Sequence, residues 1–141
     1  MIFQHKELGE LMVRQLQATD STLLYDFYTK GLSEKSRVFF GAPYPVFSPP
    51  LDEIGDRILE WQREDDWVFL NLVKHGDIIG VAMLKRFKTH PVSGLAIRDE
   101  YYRKGLGFLL QSLINAQARL LGLEMVYATI APKNIPSIQL H

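Results

Sequence analysis

In the stretch DEYYRKGLGFLLQSL, residues 99–113, Gly105 and Gly107 stand where an apolar helix should begin, directly after Arg103 and Lys104. A glycine inside a helix costs about 1 kcal/mol relative to alanine, so two of them in one turn call for a compensating role. The first N–H groups of a helix have no partner within it and carry the positive end of its dipole. A phosphate binds there when glycine lets its oxygens reach the backbone. The spacing therefore marks a candidate anion site, with Arg103 and Lys104 adding positive charge. Two better-known phosphate patterns are absent. No G-x-x-x-x-G-K-[ST] run occurs, and the dinucleotide pattern G-x-G-x-x-G fails at Leu110. On its own, G-x-G equally describes a packed turn.

The elements that must position this turn follow from periodicity. LMVRQLQ (11–17) alternates like a strand, and TDSTLLYDFYTKGL reads as a helix that starts on cap-type residues and stops at Gly31. Residues 33–50 hold four prolines, a glycine and the aromatics Phe39, Phe40, Tyr44 and Phe47, a long irregular connection of the kind that carries function. A second helix is predicted over 51–64, from Leu51, Ile54, Ile58, Leu59 and Trp61. Strands are predicted over 66–75, 77–87 and 91–99, the first two joined at Gly76-Asp77. The glycine turn and a long helix ending at Gly122 come next, then a strand over 124–130. A last helix is predicted from Asn134, with Pro136 in its first turn. The order β-α-α-β-β-β-α-β-α implies an α/β fold with helices on the faces of one sheet.

Bulk properties narrow the function. A chain of 141 residues is one domain able to bury a real core. Lys+Arg and Asp+Glu both number 16, which argues against a broad nucleic-acid footprint. With no cysteine, disulfides, thiolate catalysis and zinc–cysteine sites are excluded. No apolar run is long enough to span a bilayer, the N-terminus lacks a signal-peptide pattern, and the expected location is cytoplasmic.

The segment from GLAIRDEYYRKGLGF through NIPSIQLH resembles the GNAT family of N-acetyltransferases. The strand ending in Leu95-Ala96-Ile97, the acidic-aromatic link, the R-K-G-L-G turn and the downstream N-x-x-S-x-x-L carry the likeness. Tyr102 stands where the family pattern has Gln or Arg. The resemblance implies a mixed, mostly antiparallel GNAT-like sheet flanked by helices, and acetyl-CoA as cosubstrate without a metal. It implies cofactor contacts from Leu95, Ala96 and Ile97, from Tyr102, Arg103, Lys104, Gly105, Leu106 and Gly107, and from Asn134 and Ser137. An amine would attack the thioester directly, which needs positioning, a base, and a proton donor for the departing thiolate. His141 occupies the place of the family's proton-donating tyrosine, seven residues after Asn134. His90 is the candidate base, with Glu124 and Ser93 the other polar groups on these strands. Arg37, Phe39, Phe40 and Tyr44 are the candidate acceptor-binding residues. The acceptor is a small-molecule or protein amine, with neither nucleic acid nor membrane as partner.

The family's last strands are missing by this reading, which implies a chain truncated at its C-terminus or a homodimer that completes the sheet. Two rivals remain: a catalytically inactive acyl-CoA-binding or regulatory module, and a fragment unable to close its cofactor site.

Overall fold

Two central strands, β3 (Trp67–Lys74) and β4 (Asp77–Lys85), are mostly apolar because helices cover both of their faces. Their connection is His75-Gly76, with φ of 50° and 84°, as a two-residue turn matching the strand twist requires. The structure, a computed structural model, describes residues 1–33, 51–130 and 133–139. The expectations for Arg37, Phe39, Phe40, Tyr44 and His141 lie outside those residues. No helix among the described residues is long and apolar enough to cross a membrane.

Around β3 and β4 the chain adds β1 (Ile2–His5), β2 (Gly9–Gln15), β5 (Val92–Ile97), β6 (Met125–Ile130) and β7 (Lys133–Gln139). The seven strands lie side by side in chain order. Every neighbouring pair is antiparallel except β5 and β6, which are parallel. The α/β, mostly antiparallel sheet expected from the sequence is thus present, with two corrections to the element order.

The first correction is β1, which pairs Ile2 with Met12 through His5 with Gly9. Four residues are too short to show alternation. The His5 ring closes the turn by accepting at Nδ1 from the N–H groups of Glu7 and Leu8, both at 3.1 Å. The second is the predicted last helix, which is strand β7, antiparallel to β6. An isolated seven-residue helix is marginal, whereas Ile135 and Ile138 favour a strand with a partner at hand. Pro136 sits beside a register shift on this edge strand, where its missing N–H is tolerated.

Helices α1 (Ser21–Asp26, continued by a wider π turn over Phe27–Gly31) and α2 (Leu51–Glu64) cover one face. Their Leu24, Phe27, Tyr28, Ile54 and Ile58 pack on Phe69, Val81, Met83 and Ala96. Helix α3 (Leu106–Leu120) covers the other with Leu106, Leu110, Ile114 and Ala118, every fourth residue. It closes as a Schellman turn: Gly122, at φ 78°, donates to Arg119 and Leu123 donates to Ala118.

A polar knot fixes the start of α1. Asp20, 4% exposed, takes both guanidinium arms of Arg14 at 2.7 and 2.8 Å, the N–H of Gln17 at 2.8 Å and the Nδ2 of Asn71 at 3.3 Å. It ties β2 and β3 to the helical layer.

Candidate functional site

Strand β5 belongs to two ladders of unequal length. Against β4 it pairs from Val92 to Ile97, while against β6 it pairs only at Val92 and Ser93. Beyond Ser93 the two parallel strands part. The register says which backbone groups face the gap. Arg98 donates its N–H to Ile79 directly opposite, at 2.8 Å, and in an antiparallel ladder alternate residues face the same partner. Ala96 and Gly94 therefore point their amides at β4, and Leu95 and Ile97 point theirs into the gap. On the β6 side the same alternation shows in Tyr127, which donates to Pro91 at 2.9 Å. An open sheet edge within the fold offers hydrogen bonds to an extended ligand.

From Ile97 the chain runs through Arg98 and a single 3-10 turn, Asp99–Tyr101, to the predicted glycine turn. Arg98 anchors it. Its side chain, 10% exposed, donates from Nε to the Ile78 carbonyl at 2.7 Å and from Nη2 to Asp26 at 3.3 Å, over the Phe27 ring. Gly31 leaves room for it, since a Cβ there would meet the Arg98 Cγ at 2.7 Å. Asp26 is held below the usual carboxylate range, first by its hydrogen bond to Lys30 and also by Arg98. Asp99 accepts the Ser33 N–H at 3.0 Å. The sequence offered no signal for these links, which join residues far apart in the chain.

Arg103 (φ 62°) and Gly105 (φ 79°) both adopt left-handed backbone, and Gly105 is the N-cap of α3. A side chain at Gly105 would meet nothing within 4 Å; its glycine requirement is conformational, and the space beside it is open. The first N–H groups of α3, from Leu106, Gly107 and Phe108, have no helical acceptor. A Cβ on Gly107 would lie 3.9 Å from Leu95 Cδ1. The helix start and the open edge of β5 are therefore neighbours, as the sequence pattern requires.

Other predicted residues are placed differently. Lys104 turns its ammonium to Glu7, and its carbonyl meets His5 Nε2 at 2.7 Å. Because His5 Nδ1 already accepts two N–H groups, Nε2 carries the proton and donates. The hydrogen bond from Lys104, with its charge, holds Glu7 below the usual carboxylate range. Tyr102 and Arg103 are exposed. His90 stacks on Tyr127 at 4.7 Å, at the end of β5 where β5 and β6 still pair. Ser93 is buried there, its Oγ 3.5 Å from the Tyr127 carbonyl. Glu124 is exposed just before β6. Asn134 and Ser137 lie in β7, with Asn134 opposite Thr129; the expected helix cap at Asn134 is corrected with the helix.

The sequence reading passed over Lys85. This residue ends β4, 8% exposed, between Trp67 on β3 and Val92 on β5. Burial, with the Arg86 charge second, pulls its ammonium down from 10.5 to about 8. Between about pH 8 and 10.5 the unfolded chain therefore binds more protons than the folded one, so stability rises with pH through that window, and below it the full penalty applies. The variant Lys85→Met is expected to gain on the order of 2 kcal/mol at pH 7. That advantage should shrink at pH 10, as read by urea unfolding at both pH values.

No cluster of metal ligands occurs among the described residues. A family model described as an acetyltransferase (GNAT) domain matches residues 10–141. Among curated proteins no significant match is found. Among solved structures the chain is similar to the GNAT domain of S. lividans PAT, at 22% identity over 94% of this chain and 78% of that one, with a TM-score of 0.74. It is similar to a spermidine N-acetyltransferase from Vibrio cholerae in complex with CoA and spermine, at 17% identity, 86% and 71% coverage and a TM-score of 0.68. A third likeness is to the PaiA N-acetyltransferase of Thermoplasma acidophilum in complex with coenzyme A, at 18% identity, 88% and 81% coverage and a TM-score of 0.64. At such identities these structures speak for the fold.

Proposed function

The chain belongs to the GNAT acetyltransferase family, and on that premise we propose that it binds acetyl-CoA and transfers the acetyl group to an amine. The observation that carries the reading is the meeting of two backbone features. The unpaired β5 edge at Leu95 and Ile97 lies beside the glycine-bearing start of α3. Leu95 and Ile97 offer N–H and C=O groups to the amides of a pantetheine arm, as an added strand would. The N–H groups of Leu106, Gly107 and Phe108 receive the pyrophosphate, with the exposed Arg103 nearby as a cation. Lys104 acts through Glu7 and His5, holding the loop rather than reaching the ligand. A bound thioester supplies an acyl carbon open to direct attack, and the protein's part is to orient it against the amine. The two structural neighbours crystallised with CoA support this cofactor class.

A second reading, an acyl-CoA-binding module without turnover, is favoured by one observation: no carboxylate lies on β5 itself. Calorimetric titration with acetyl-CoA, followed by thiol-release assays on an amine panel, separates the two. We expect micromolar binding, weaker for ADP alone, and thiol release that depends on the amine. Binding without release selects the second reading, and no binding by folded protein overturns both.

A further inference from the structure

Lys85 is a buried residue whose ammonium makes no hydrogen bond or ion pair with any described residue, and whose Nζ keeps an opening to solvent. Desolvated charges are expensive unless paired, and the carboxylates at this end of the sheet are engaged elsewhere. Glu64 accepts the Trp67 indole N–H at 2.7 Å, Asp65 faces Lys88 at 3.7 Å, and Asp66 accepts the Lys88 N–H at 2.8 Å. The charge that acts on it most is Arg86, a like charge that adds to the cost. Tyr127 and His90, across Val92, are stacked on each other. By sequence, the segments 34–50 and 131–141 carry one carboxylate between them, Glu34, against Lys35, Arg37 and Lys133.

The position of this charge matters as much as its isolation. Trp67, Lys85, Val92 and Tyr127 form one row across β3 to β6. Alternation places Lys85 on the same face as Met83, the face covered by α1 and α2. The row crosses β5 and β6 just where they begin to part. The next β5 residue on that face, Gly94, has no side chain and is half-buried, so β5 places nothing between Lys85 and the mouth of the gap.

We propose that Lys85 binds an anionic group of the acceptor, so that the acceptor is an amine bearing a carboxylate rather than a polyamine. The inference rests on the acetyl-transfer reading above. With a pKa of about 8 the ammonium is mostly protonated at pH 7, and a docked carboxylate would neutralise it and draw that pKa upward. A polycation would add repulsion at the same point.

The test is acetyl-CoA-dependent thiol release with amino acids and short peptides, their C-terminal amides, and spermidine. The enzymes compared are wild type, Lys85→Met and Lys85→Arg. The expected result is a carboxylate-bearing acceptor preferred over its amide and over spermidine. For that acceptor KM should rise tenfold or more in Lys85→Met, with kcat little changed and partial rescue by Lys85→Arg. Preference for spermidine or for the amides overturns the proposal, as does a KM indifferent to Lys85→Met. Acetyl-CoA binding with no carboxylate-bearing amine accepted overturns it too, while leaving the cofactor assignment standing. Failure of the wild type to bind acetyl-CoA in calorimetry removes the transferase reading itself, and this inference with it.

Discussion

Replacing Gly107 with aspartate is expected to weaken acetyl-CoA binding a hundredfold or more while leaving the melting temperature unchanged or higher. Gly107 is the second residue of α3, and a Cβ there makes only an ordinary contact with Leu95 at 3.9 Å. The helix tolerates the substitution for two reasons. A glycine is removed from it, and a carboxylate in its first turn interacts favourably with the dipole, by about 0.3–1 kcal/mol. That same carboxylate occupies the ground proposed for pyrophosphate. Two like charges 4 Å apart repel by roughly 1 kcal/mol in water and about 4 kcal/mol near a protein surface, and lost hydrogen bonds to a charged group add about 1.5–3 kcal/mol each. A hundredfold loss needs only about 2.8 kcal/mol. Calorimetry and thermal unfolding on one protein sample check both halves. A lowered melting temperature with unchanged binding would relocate the anion site.

The second large effect concerns stability. Asp20→Ala is expected to cost about 2–4 kcal/mol, because a buried acceptor shared by several donors is lost, although Arg14, one-third exposed, can turn partly to water. It would leave Arg14, the Gln17 N–H and the Asn71 amide without their shared acceptor at once. Asn71 already has one buried acceptor, Oδ1, without a partner, so the variant would leave both polar atoms of its amide unpaired. Asp20→Asn keeps the shape and one acceptor oxygen, and should cost markedly less. Urea midpoints of the three proteins give the comparison; equal midpoints for Asp20→Ala and wild type would show that the knot contributes nothing net.

What could be read from the sequence divides along the range of the interactions. The central strands, the glycine turn and the long helix after it carry local signals: apolar runs, a G-x-G, a fourfold spacing that ends at Gly122. All are present. Gly105 was legible for a local reason as well, since left-handed backbone favours glycine. Arg103 shares that conformation without glycine and gave no such sign. The features that were missed depend on partners distant in the chain. Arg98 reads as one more surface cation until Ile78, Asp26 and Phe27 surround it. Lys104 reads as one more cation beside the turn, and its pairing with Glu7 and His5 shows only in the fold. The parting of β5 from β6 was not missed, since the family resemblance implies that Leu95 to Ile97 splay from the neighbouring strand, but as a property of register it is announced by no residue type. The segment after β6 was misread because an asparagine that looks like a helix cap fits equally well near a strand start when an antiparallel neighbour is available.

The latch at His5 has a consequence for how a ligand is met. Its ring receives two backbone N–H groups on one nitrogen and grips the Lys104 carbonyl with the other, joining the β1–β2 turn to the residue just before Gly105. A loop that had to be ordered upon association would surrender conformational entropy, on the order of 1–2 kcal/mol for each residue fixed. Here the first strand pair already holds it, so an anion bound at this turn, as proposed, would meet a receptor whose disorder was removed when the chain folded.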